Sequence, residues 1–167
     1  MTALATETKY ASTNPLDVME EIVTANEWAH ERMSDEELVA GIGGQWCDYR
    51  LHLAWSNDLS ALHFSCALDI RVPQARQTAV HEVVGMINPK IWVGHFEVAQ
   101  DDRMPIFRHT LLLRGANGAT VEQLEDLLDV AIAECERFYP TFQFVIWGGK
   151  RPEEALQAAL LETVGEA

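Results

Sequence analysis

Residues 47–68 read CDYRLHLAWSNDLSALHFSCAL, two runs of alternating polarity on either side of Asn57-Asp58. In the first run Cys47, Tyr49, Leu51, Leu53 and Trp55 alternate with Asp48, Arg50, His52 and Ala54. In the second, Leu62, Phe64, Cys66 and Leu68 alternate with His63, Ser65 and Ala67. Successive side chains on a strand point to opposite faces, so this period predicts two antiparallel strands with one apolar and one solvated face. The turn-forming pairs Ser34-Asp35, Gly43-Gly44 and Asn57-Asp58 divide residues 27–69 into four such strands, and a meander is their simplest order.

Helical periodicity flanks this meander. Asn14 caps and Pro15 opens a helix to about Ala25, with Leu16, Met19, Ile22 and Val23 on one stripe. After the meander, 73–88 reads as a second helix through Ala79, Val80, Val83 and Ile87 that stops just before Pro89. Strands are predicted at 91–99 and 105–114, joined by the polar turn Gln100-Asp101-Asp102-Arg103, with Trp92 on the core parity. The capping box Thr120-Val121-Glu122-Gln123 opens a long helix through Leu124, Leu127, Leu128, Ala131 and Cys135. Residues 141–147 read either as a buried strand or, past a kink at Pro140, as more of that helix, and helix is the preferred reading. Pro152 starts a short final helix packing Ala155, Leu156, Ala159 and Leu160 inward.

The expectation is one α+β domain over 14–163, mainly an antiparallel sheet, in the order helix, four-strand meander, helix, hairpin, long helix, short helix. Residues 1–13 are expected to form a disordered tail and 164–167 a frayed end. The 167 residues suit one domain. A formal net charge of −14 disfavours nucleic acid and anionic membrane surfaces as partners. That charge is uneven: residues 1–48 carry −8 and 119–147 carry −5, whereas 49–118, which hold most of the strands, carry +1. Three scattered cysteines without a C-x-x-C pair, no apolar run long enough to span a bilayer and no leader at the N-terminus fit a cytoplasmic protein with reduced thiols.

No catalytic signature completes itself. His81-Glu82-Val83-Val84 starts like a zinc-protease helix, but its fifth position is Gly85, where the second imidazole is required. Gly149-Lys150 lacks both the leading glycine and the hydroxyl residue of a phosphate-binding loop. Cys47 and His52 have opposite parity on their strand, and Cys47 and Cys66 fall on the apolar side as buried, inert thiols. His109 shares parity with Phe107, Leu111 and Leu113 and reads as a hydrogen-bonded core residue. The non-core parity is richer: Arg50, His52, His63, His95 and Arg108 share it, with Trp46 assigned beside them as a strand-edge cover or interface anchor. These six are the candidate partner-binding residues. No catalytic residue, metal ligand or cofactor is assigned.

The blocks Gly44-Gln45-Trp46-Cys47-Asp48-Tyr49, His63-Phe64-Ser65-Cys66-Ala67-Leu68-Asp69 and Phe142-Gln143-Phe144-Val145-Ile146-Trp147-Gly148-Gly149, with Pro152-Glu153-Glu154-Ala155, together resemble the YbjN family of bacterial proteins. That resemblance implies a sensory transduction regulator whose fold is similar to the small acidic chaperones of type III secretion, α/β homodimers that bind other proteins. It supplies no catalytic residues. The expected function is therefore a non-enzymatic cytoplasmic regulator or chaperone-like adaptor that dimerises and binds a protein partner through a sheet face or edge. The alternative is a small-molecule or metal-binding sensor built on the histidine-bearing face.

Overall fold

In the computed structural model, which describes residues 13–165 with side chains through Leu161, the chain forms four α-helices and six strands in the order α1 (Pro15–Ala25), β1 (His30–Ser34), β2 (Glu37–Gly43), β3 (Asp48–Ser56), β4 (Ala61–Ala67), α2 (Gln77–Ile87), β5 (His95–Val98), β6 (Pro105–Leu112), α3 (Val121–Ile146) and α4 (Pro152–Gly165). The strands make one antiparallel sheet in the order β1-β2-β3-β4-β6-β5. The four-strand meander and the second hairpin are as the alternation predicts, and β6 docks the hairpin beside β4. One sheet face, carrying Leu38, Tyr49, Leu51, Leu53, Leu62, Phe64, Cys66, Phe96 and Phe107, is buried. The helices α1, α2 and α3 pack on that side. The opposite face carries no helix among the described residues.

Local chemistry sets the helix limits. Asn14 Oδ1 accepts from the Leu16 N–H at 3.0 Å to cap α1. Thr120 and Gln123 exchange side-chain and backbone bonds of 3.0 and 3.1 Å at the start of α3. α3 continues through Pro140 to Ile146, so 141–146 is helix. Proline removes one N–H donor from the ladder; Tyr139, Pro140, Thr141 and Phe142 are all buried around it, and packing holds the helix together there. The Arg76 guanidinium locks the turn into α4 by donating to the carbonyls of Val145 and Lys150, both at 2.8 Å.

Several expectations are corrected. Strand β5 begins at His95 rather than at 91, because Gly94 takes φ +72° and breaks the extended run. Trp92 therefore has no strand parity to obey, and it is fully exposed instead of buried in the core. The second helix is α only over Gln77–Ile87, with 3₁₀ turns at Gln74–Arg76 and Asn88–Lys90 on either side. β6 ends at Leu112, two residues early. Leu160 is 39 % exposed, not packed inward. α4 runs to Gly165, past the point where fraying was expected. The expected tail lies outside the described residues apart from Thr13, whose hydroxyl donates to the Asn117 carbonyl at 2.7 Å.

Candidate docking face on the sheet

Register turns the polar parity into rows. Val39, His52, Ser65, Arg108 and His95 stand side by side across β2, β3, β4, β6 and β5. On one side of them run Glu37, Ala54, His63 and Thr110, and on the other Gly41, Arg50, Ala67, Ile106 and Glu97. Five of the six candidate residues, Arg50, His52, His63, His95 and Arg108, thus share one open face, and strand order, which the sequence does not state, is what brings His95 and Arg108 beside His63.

Trp46 is the exception. It lies in the loop before β3, where strand parity does not apply, and its ring stacks on Tyr139 of α3 at a centroid distance of 6.4 Å and an interplanar angle of 7°. It therefore belongs to the helix-covered side, and replacing it would disturb packing before it reported on the open face.

The open face is internally bonded. Arg108 donates from Nη1 to Glu97 Oε1 at 2.7 Å and from Nε to His63 Nε2 at 3.0 Å. His95 Nε2 lies 3.2 Å from the second Glu97 oxygen, and His52 Nε2 lies 2.6 Å from Glu37 Oε1. A guanidinium only donates, so His63 Nε2 must accept; the ring is then neutral, with its proton on Nδ1 facing Thr110 Oγ1 at 3.3 Å. Burial, and after it the positive charge of Arg108, hold the His63 imidazole below its ordinary range. Burial does the same to His109, which is half-buried on the other side of the sheet.

These two shifts fix a pH dependence. In the unfolded chain both imidazoles titrate near about 6.5. The folded state binds fewer protons than the unfolded state below that value, so stability rises with pH through this window and falls as the solution is acidified. Urea midpoints should be lower at pH 5.5 than at pH 7.5, and His63→Gln should flatten part of that decline; a decline of equal steepness in the variant would remove His63 from the account.

Among the described residues no three side chains of His, Cys, Asp or Glu are placed to hold a metal ion. A cavity of about 230 Å³ opens beside Arg50 between Gly41 and Ala67, with Asp48 and Asp69 also lining it. That is below the roughly 300–1,000 Å³ of common ligand pockets. A cleft of about 430 Å³ is lined by Gln74, Gln77, His81 and Arg103, apart from the histidine rows. Cys66 and Cys135 are fully buried, while Cys47 is only half-buried, contrary to expectation. Burial pushes the Cys47 thiol up, and a hydrogen bond with Cys66 followed by burial pushes Cys135 up, so neither favours the reactive thiolate.

Both edges of the sheet are guarded. At β5, the Asn88 side chain donates from Nδ2 to the Phe96 carbonyl at 3.0 Å and accepts from the Phe96 N–H at 2.7 Å, occupying the place a further strand would take. At β1 the ladder is irregular between Arg32 and Ser34, and Arg32 is held by Asp17 and Glu20 of α1 at 3.1 and 3.0 Å. A docking role thus falls to the face more readily than to either edge. Trp92 is the residue sequence reasoning missed as an exposed group; Pro89 and Gly94 around it were the signals of broken strand structure.

A six-stranded antiparallel sheet with helices on one side and a polar open face defines an α+β fold. The YbjN family model, described as "Putative bacterial sensory transduction regulator", matches residues 15–144. The chain belongs to the YbjN family. A chain in the structure titled "Crystal Structure of the ExsC-ExsE Complex" is similar in fold, with a TM-score of 0.50 at 10% identity over 76% of this chain and 93% of that one. No curated protein matches. Among the described residues no helix is long and apolar enough to cross a membrane.

Proposed function

We propose that this protein is a non-enzymatic cytoplasmic adaptor that forms a homodimer and binds a protein partner across the open sheet face. The observation that carries this reading is the uncovered face itself, five strands wide, where charged and imidazole side chains are held in ordered rows instead of being covered by a helix. The fold neighbour supports it in kind, since that structure is of a protein in complex. The near-neutral central segment between acidic ends agrees with it too, because like charge elsewhere suppresses non-specific contacts.

Arg50 provides the test. It is exposed near the start of β3, between Gly41 and Ala67, and its side chain makes none of the ion pairs described above. A partner recovered by crosslinking in bacterial cells and then purified should bind Arg50→Glu at least about tenfold more weakly, a loss of about 1.4 kcal/mol, while the melting temperature stays within about 2 °C. Equal binding by the two proteins would move the interface off this face. Light scattering on the unliganded chain should give the mass of a dimer, and a strict monomer at all concentrations would remove the homodimer.

A further inference from the structure

On the reading that the open face is where a partner docks, we propose that His63 and Arg108 form a proton-operated latch on it: neutral His63 holds the guanidinium in place, and protonated His63 releases it, so that the face presented to a partner changes with acidity.

The geometry leaves little freedom. Arg108 spends Nη1 on Glu97 and Nε on His63, which fixes the guanidinium plane between β4 and β5. The bond to His63 exists only while Nε2 has a free lone pair. When solvent delivers a proton to Nε2, the new N–H opposes the Arg108 Nε–H and the bond is lost, while the Nδ1–H contact with Thr110 is unaffected. The titratable and charged groups around His63 are His52 on β3, itself tied to Glu37 of β2, Arg108 on β6, and His95 and Glu97 on β5. Ala54 and Thr110, its direct neighbours across the strands, carry no charge. Glu97, which Arg108 and His95 share, favours a cationic His63, but burial and the Arg108 charge outweigh it.

The latch uncouples two things that a simple ion pair keeps together. Arg108 stays anchored through Nη1 to Glu97 on either side of the transition, whereas its Nε edge is exposed only in the protonated state. The residue therefore swings about a fixed point. The Nε–H edge and the new imidazolium would then lie next to one another on the face, both as donors.

Nitrogen-15 NMR on the full chain without any partner tests this, so its failure is separate from failure of the docking reading, which Arg50→Glu addresses. At pH 8 the His63 ring should show the proton on Nδ1, and from pH 8 to pH 5 the Arg108 Nε–H resonance should move with the same midpoint as His63, below about 6.5. In His63→Gln, whose amide can accept from Arg108 without titrating, that resonance should stay in place through the same range. A proton on Nε2 at pH 8, or an equal movement of Arg108 in His63→Gln, would overturn the latch. A folded variant is confirmed by retention of the remaining amide spectrum.

Discussion

Phe96→Ala lowers the free energy of unfolding by about 3–5 kcal/mol, the range for truncating a buried phenylalanine. Phe96 is 1% exposed, and its ring meets three others: Phe107 at 5.7 Å, Phe138 at 5.9 Å and Phe142 at 5.5 Å, the first two edge to face. It is also the one buried side chain of a four-residue strand. Without it β5 loses its one fully buried side chain, and the cavity faces two aromatic rings on a long helix that cannot close in without shifting other contacts. A domain of this size loses about 2–4 °C per kcal/mol, so the melting temperature should drop by about 6–20 °C. A urea titration checks it directly; a change under about 1 kcal/mol would mean that the cluster repacks freely and that β5 is not anchored by this ring.

Asn88→Ala has a smaller effect on stability and a larger one on assembly. Two bonds disappear together, and the Phe96 N–H and C=O are left without partners at the rim of the sheet, at a cost of about 1–3 kcal/mol. The more important result is an open edge. An unpaired donor and acceptor on a short edge strand form a template for another chain. The variant should show concentration-dependent species larger than the native assembly in light scattering, and Asn88→Asp, which keeps the acceptor and adds charge, should show fewer of them. If Asn88→Ala keeps the native mass over a hundredfold range of concentration, the side chain is an ornament of the hairpin and not a guard.

The contrast between these residues shows which parts of the fold can be read in the chain. Leu51, Leu53, Leu62 and Phe64 announce themselves by alternation, because burial on one sheet face imposes period two on the residues themselves. The caps at Asn14 and Thr120 are legible for a similar reason, since the partner lies within three residues. Asn88 is not. Its role depends on a strand eight residues later turning back beside it, and an asparagine before proline gives no sign of that. Trp92 misleads because parity carries information only while the backbone is extended, and the left-handed Gly94 ends the extension just before it matters. Trp46 misleads from the other side of the same rule, one loop ahead of β3. The open face lies between these cases: the shared parity of Arg50, His52, His63, His95 and Arg108 was visible, but their adjacency required β6 to lie between β4 and β5.

That strand order also sets a timetable. Every strand pair but one joins neighbours in the chain, and the exception, β4 with β6, bridges α2 and β5. During synthesis the meander can therefore pair as soon as Ala67 has emerged, long before the helix that covers much of its apolar side exists. From Ala67 to Ile146 there are 79 residues. At about 5–20 residues per second the ribosome takes roughly 4–16 s to deliver them. For those seconds Leu51, Leu53, Phe64 and Cys66 are shielded only by α1, and a nascent chain stalled before α3 should be a substrate for trigger-type chaperones while the completed chain is not.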